Sequence, residues 1–389
     1  MTDFERKTRG VIYGTAFGDA LGAPVERLSH QQIMELYGGP VTTVNTKWWK
    51  ADMSVVERAG RMRGYGTITD DTLLTLALIN VYLAKRDHID AYDMADEFVK
   101  EIAYRPRYLA EFGREAMIVE RLFYPDKHIF NRHGLANCEP REGGMGNMVN
   151  CGAAMYISPV GVVNACNPKA AYDEAIDFAA GHQLSYGLEA AGVLAACIAK
   201  AYEPGATIHD VVKVAVELAK DGTKKAIHDL YEKAMEIRSR REEKAFIVEE
   251  FFKAILPYSP VADQFVRSVE RVGQPTQNYT PSRLYSIEEL PIAIAYLALY
   301  EDQPIQAVID GVNSGRDADS VGVMAGCLAG ALYGFEIFDK SEIEIIENNN
   351  KVDIDKFSED FIEVACEIIK KDIIKAETIK DLIKKSFEN

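Results

Sequence analysis

An all-α protein is expected from three observations. Apolar residues recur at helical spacing through most of the 389 residues, strand-like alternation is nearly absent, and no Gly-, Ser- or Pro-rich linker divides the chain. The pattern describes one helical domain over 1–340 and a helical extension, 341–389, packed on it.

The first element is GVIYGTAFGDALG, where Gly10, Gly14, Gly18 and Gly22 recur every fourth position, so a helix here has one face without side chains. Glycine costs about 1 kcal/mol against alanine inside a helix. Such a row implies close approach of something, most simply a second helix packed against Gly10 and Gly14. Asp19 does not suit a purely apolar face, and Gly22-Ala23-Pro24 should end the helix, leaving Glu26 just beyond it. Residues 27–65, with Gly38-Gly39-Pro40 and the pair Trp48-Trp49, lack periodicity and read as a long irregular excursion. Adjacent tryptophans face different ways, so one is a candidate core residue and the other a candidate lid or stacking surface; plain packing is the simpler reading.

Amphipathic spacing predicts helices over 73–85 and 91–104. From Arg132 to Gly152 the chain turns polar and glycine-rich, a loop whose amides can face an anion but which matches no Walker or dinucleotide spacing. Helices follow over 169–180, 187–202, 208–220, 224–238, 243–255, 288–300 and 304–312, with a loop containing at most one short helix over 259–286. The tail from Ser341, rich in Ile, Lys, Glu and Asp, predicts two or three more.

Composition excludes several classes. The chain carries 44 basic and 60 acidic side chains, a formal charge of −16, which argues against a nucleic-acid backbone as main partner. Its apolar stretches are too short to span a bilayer, which takes roughly 20 residues. The polar start, Met1 to Lys7, does not read as a secretory signal. Six cysteines without a CxxC pair read as reduced thiols, so a cytoplasmic location is expected.

Two clusters carry the chemistry. Thr69-Asp70-Asp71-Thr72 enters the apolar run Leu73–Ile79, and Asp317-Ala318-Asp319-Ser320 enters Val321–Gly330. Either alone is explained by capping, since Thr, Ser and Asp accept the orphan amides of a helix start. Capping does not require two carboxylates at both places. Four carboxylates brought together demand cations, and hard oxygen ligands favour Mg²⁺, Mn²⁺ or Ca²⁺ over zinc or copper. Paired carboxylates suit two metals about 3.5–4 Å apart.

GVIYGTAFGDALGAPVE, the TDDT cluster, NCGAAMYISPVG, His182 and GVNSGRDADSVGVMAGCLAGALYG together resemble the ADP-ribosylglycohydrolases, the group that includes the dinitrogenase-reductase-activating glycohydrolase, over about residues 9–336. The resemblance implies an orthogonal all-α bundle with two divalent cations, Mg²⁺ or Mn²⁺. Matched residue by residue, it makes Thr69, Asp70, Asp71, Asp317, Asp319 and Ser320 the metal ligands, with Asp70 and Asp317 catalytic through the metals. Glu26 falls beside the scissile C1″ glycosidic bond, where a carboxylate can stabilise developing positive charge or handle a proton. Asp19 becomes a support for the site. Without the resemblance, Glu26 would read as a surface carboxylate.

The resemblance also implies that the loop Gly143–Gly152, leading into Ala153-Ala154-Met155, grips the phosphates, with Gly146, Asn150, Gly152, Met155, Tyr156 and Arg316 as substrate-binding residues and His182 near the distal part of the ligand, although a lone histidine before a helix more often caps it or sits satisfied in the core. This chain has Met155-Tyr156 where many relatives have Met-Arg, Arg316 where many have glycine, and Ser320 for threonine. The implied activity is hydrolysis of an ADP-ribosyl group on a protein or small molecule. Alternatives are a smaller ribosyl substrate, a nucleoside or sugar phosphate, with Tyr156 and Arg316 marking the altered pocket, and a catalytically silent ADP-ribose binder.

Overall fold

The computed structural model describes residues 1–147, 150–258 and 287–387, with side chains to 384. The all-α expectation is borne out: among the described residues the strands are one short antiparallel hairpin, Arg107–Leu109 with Arg114–Ala116. None of the described helices is long and apolar enough to cross a membrane.

The body is organised on one helix pair. Asp3–Gly22, started by a Thr2/Glu5 capping box, runs antiparallel to Ala318–Tyr333. Gly10, Gly14 and Gly18 meet Gly330, Gly326 and Gly322 in turn, and Gly22 meets Asp319. Each glycine face approaches the other backbone directly, so all four positions, not just Gly10 and Gly14, follow the backbone-to-backbone reading. The remaining helices wrap this pair; Ser185–Ala201 and Glu289–Leu299 are apolar on nearly every side and lie in the core.

The predicted helices form within a few residues of their expected bounds, with three differences. Within the supposed irregular excursion, His30–Tyr37 is helical, begun by a Ser29/Gln32 capping box and ended by Gly38 at φ +70°. Ala91–Ala103 is interrupted by a π-helical turn at Met94–Phe98. The polar loop expected from Arg132 starts later, because Tyr124–Ala136 is a helix that includes Arg132 to Ala136. The loop expected over 259–286 lies outside the described residues.

Of the two tail helices, Lys340–Asn350 packs on the body and Ile354–Phe387 does so along its first half, residues 370–384 being exposed. Asn350 Nδ2 donates to Gly66 O at 2.7 Å and its Oδ1 accepts from Ile68 N at 3.2 Å, clamping the loop that delivers Thr69. Phe361 is fully buried beside Tyr82. His88 lies between Glu174, 2.6 Å from its Nδ1, and Asp372 of the last helix, 2.9 Å from its Nε2.

The Glu174 hydrogen bond, followed by Asp372, raises His88 to about 9. A raised folded-state value means the contact's stabilisation is complete below about pH 6.5 and is lost as pH approaches 9. His88→Gln should therefore melt below the wild type at pH 6, with the gap closing by pH 9.5. Thermal melts at matched ionic strength measure it, and a constant gap contradicts the assignment.

Candidate functional site

The glycine pairing fixes where the first helix ends relative to the second one's start. Beyond Gly22 the chain turns, and a short backbone ladder continues the register: Arg27 N donates to Arg316 O and Arg316 N to Leu28 O, both at 2.7 Å. Gly315 needs its φ of +90° here, since a Cβ would stand 2.9 Å from His30 N. The result is that Glu26, Asp317 and Asp319 present carboxylate oxygens within 4.8 Å of one another.

The second cluster arrives on the Asp70–Lys85 helix. Thr69 caps it, and Asp19 Oδ2 accepts from Thr69 N (2.8 Å), Thr72 N (3.1 Å) and Thr72 Oγ1 (2.5 Å). Asp19 thus ties the first helix to this one from behind. Ser320 Oγ donates to Asp71 Oδ1 at 3.0 Å, joining residues 249 apart in sequence. Burial, then Asp319, Asp19 and Asp317, raise the Asp71 carboxyl well above the usual range.

Two buried arginines oppose these acids. Arg63 pairs with Glu26 and Arg121 with Asp70, and buried Glu111 bridges both, through Arg63 Nε at 2.7 Å and Arg121 Nε. The chain Glu26–Arg63–Glu111–Arg121–Asp70 ties the two acids to each other through buried ion pairs. Burial, then Arg61 and Arg63, lower Arg121 well below its ordinary value.

Glu26, Arg63, Asp70, Asp71, Arg121, Asp317, Asp319 and Ser320 line one cavity of about 440 Å³, a size suited to a small-molecule site. Its floor is Glu26, Asp70, Asp71, Asp317, Asp319 and Ser320; Cys151, Asn150, Gly152 and Met155 line another side. Arg27, Lys50, Arg61 and Lys127 form a cationic rim with Trp48, Trp49, Phe123 and Tyr124. Burial first, and then neighbouring cations, lower all four basic groups. Lys50 Nζ sits over the Trp49 ring at 4.7 Å. Both tryptophans line the cavity: Trp48 is buried and Trp49 half-buried.

Other expected site residues do not line the cavity. Thr69 is fully buried behind Asp71, to which its Oγ1 donates at 3.2 Å. Tyr156 and His182 are also fully buried, stacked and hydrogen-bonded at 2.9 Å. His182 Nε2 faces Asp126 Oδ1 at 2.8 Å, and Asp126 Oδ2 accepts from Asn150 Nδ2 at 2.8 Å. These side chains shape the loop from beneath instead of lining the cavity. Gly146 is exposed, with φ +89°, and does not line it.

Arg316 turns away as well. Its guanidinium pairs with Glu288 at 2.7 Å and lies 5.0 Å from the centre of the Phe252 ring. Its φ of +69° is a left-handed conformation costing a non-glycine residue roughly 1–2 kcal/mol and a glycine nothing.

Sequence reasoning missed Arg63, Glu111, Arg121, Asp126 and Glu289. One signal was available: Glu288-Glu289 enters the apolar run Leu290–Leu299, repeating the acid-pair-then-helix pattern of Asp70-Asp71. Burial, then Asp317 and Glu288, raise Glu289 to about 8.

A family model described as ADP-ribosylglycohydrolase matches residues 1–369. The chain is 23% identical over 364 residues to uncharacterized protein YegU of Escherichia coli (strain K12), across 90% of this chain and 94% of that one. It is 24% identical over 331 residues to ADP-ribosyl-[dinitrogen reductase] glycohydrolase of Rhodospirillum rubrum, across 84% and 85%. A solved ADP-ribosylglycohydrolase-related protein complex shares the fold, with a TM-score of 0.60 at 18% identity over 94% of this chain and 100% of that chain.

Proposed function

The chain belongs to the ADP-ribosylglycohydrolase family and is a glycosyl hydrolase, and from that premise we propose that it cleaves the C1″ glycosidic bond of an ADP-ribosyl group, on a protein or a small molecule, with two divalent cations in the acidic floor of the cavity. The observation that carries the reading is the Ser320–Asp71 hydrogen bond, which makes the two helix-start clusters one site. The donor set fits hard cations: five carboxylates and Ser320 line the floor, and oxygen ligands of this kind hold Mg²⁺ or Mn²⁺. Asp70, Asp71, Asp317, Asp319 and Ser320 would hold them, with Thr69 supporting Asp71.

When bound, such cations supply a water of lowered pKa and fix the ribose hydroxyls. The protein's own groups do the rest. Glu26, which Arg63 pairs with, would offset positive charge developing at the anomeric carbon. Asp19 keeps the Thr69–Thr72 turn in place. Asn150, Gly152 and Met155 flank the ribose, while the rim cations receive the phosphates and the tryptophans offer stacking faces. The expected setting is the cytoplasm.

Calorimetry with free ADP-ribose tests the reading. Binding is expected with Mn²⁺ and not with chelator. Lys50→Ala/Lys127→Ala should weaken it at least about tenfold, since a charge-assisted hydrogen bond contributes about 1.5–3 kcal/mol, and should leave ribose binding unchanged. Ribose 5-phosphate binding as tightly as ADP-ribose would move the assignment to the smaller ribosyl substrate; no binding to metal-loaded protein would overturn both.

A further inference from the structure

The geometry points to a ligand set for a thiophilic divalent cation, of the zinc, cobalt or iron(II) class, made by Cys151 Sγ with the carboxylates of Glu289 and Asp317. It deepens the metal site proposed above, because Asp317 belongs to both sets.

The three side chains bring ligand atoms within 4.8 Å of one another. Cys151 Sγ is 3.6 Å from Asp317 Oδ2 and 3.2 Å from Ser320 Oγ. A tetrahedral cation with bonds of about 2.3 Å to sulfur and 2.1 Å to oxygen separates those atoms by about 3.6 Å. Sulfur and carboxylate therefore already stand at ligand spacing.

Glu289 is the independent observation. Its residue is only 6% exposed, and among the described residues its Oε2 accepts no hydrogen bond. A buried carboxylate oxygen without a partner is costly, and packing alone would be served better by an apolar residue. The nearby guanidinium of Arg316 is engaged by Glu288. A cation between Glu289, Cys151 and Asp317 supplies the missing partner.

Sulfur changes the choice of metal. Thiolate ligands favour softer cations, and affinities rise from Mn²⁺ through Fe²⁺ and Co²⁺. On binding, the metal–sulfur bond replaces the Cys151 S–H bond; the proton passes to solvent and nothing is oxidised or reduced. Three protein ligands leave a position open for water. Since Asp317 is shared, a thiophilic cation here competes with the hard cations for it.

The test is a Co²⁺ titration of the metal-free full chain, read as thiolate-to-cobalt charge transfer in the near ultraviolet. The band is expected in the wild type and absent in Cys151→Ser. In Glu289→Gln it should persist, with Co²⁺ affinity lowered at least about tenfold; circular dichroism monitors folding of both variants. No Co²⁺ uptake, uptake without the band, the same band in Cys151→Ser, or unchanged affinity in Glu289→Gln would each overturn the inference. Electron paramagnetic resonance of bound Mn²⁺ separates the two readings. Mn²⁺ uptake without the cobalt band leaves the hard-metal site standing and removes this one. A Cys151-dependent band without Mn²⁺ uptake does the reverse.

Discussion

Gly14→Ala is expected to leave the protein unfolded or insoluble, although a glycine-to-alanine change inside a helix ordinarily stabilises by about 1 kcal/mol. The new methyl would fall inside the Gly326 carbonyl and 2.9 Å from Cys327 N. Both are backbone atoms of a buried helix, so no side chain can rotate aside. Overpacking a core costs about 1–3 kcal/mol where side chains can shift, and here whole helices must separate, so at least about 3 kcal/mol is expected. Total stability is only about 5–15 kcal/mol. Gly311→Ala is the comparison: its methyl would meet the tip of Val321 at 3.3 Å, and a change within about 1 kcal/mol is expected. Denaturant melts of the two variants, or the soluble fraction if the first does not fold, measure the difference. Equal stabilities would mean that the helix pair can open, and with it the register that sets Glu26 against Asp317 and Asp319.

That register shows what the residues reveal when read in order. A glycine every fourth position announces a close approach, and the same spacing at Gly322, Gly326 and Gly330 is its partner. The paired acids at two helix starts likewise predict a shared site, because capping needs one carboxylate and each cluster holds two. Such signals are local, and they survive in a linear string.

The groups that complete the site are not local. Arg63 reaches Glu26 across 37 residues, and Arg121 reaches Asp70 from the end of the short Ile118–Arg121 helix. Neither segment shows hydrophobic periodicity, so neither arginine stood out. Arg316 illustrates the opposite limit. Its position beside Asp317 made it look like a pocket cation, yet a left-handed backbone points the side chain to Glu288. Adjacency in sequence does not fix direction in space. Tyr156 and His182 likewise sit in the expected motif but beneath the surface it presents.

Asp71→Asn should separate stability from function in opposite directions. In the wild type, burial and then the carboxylates of Asp319, Asp19 and Asp317 raise the Asp71 carboxyl well above its ordinary range. The folded state therefore holds this proton more tightly than the unfolded chain, whose aspartates titrate at about 3.9. That contribution is complete below this pH and is lost as pH rises. Asparagine has no such proton to lose and keeps an oxygen for the Ser320 hydroxyl. In chelator the variant should melt no lower than the wild type, with an advantage that grows as pH rises above about 4. Adding Mn²⁺ should reverse the order, because binding at a hundred times the dissociation constant stabilises the folded state by about 2.7 kcal/mol and the variant has lost a ligand. Hydrolysis of an ADP-ribosyl substrate should fall by at least about 10³-fold, the rate equivalent of the several kcal/mol a catalytic metal supplies. Melting curves with and without Mn²⁺, together with turnover, decide the matter: an Asp71→Asn protein that keeps full Mn²⁺ stabilisation would show that the two acid clusters meet without sharing a metal.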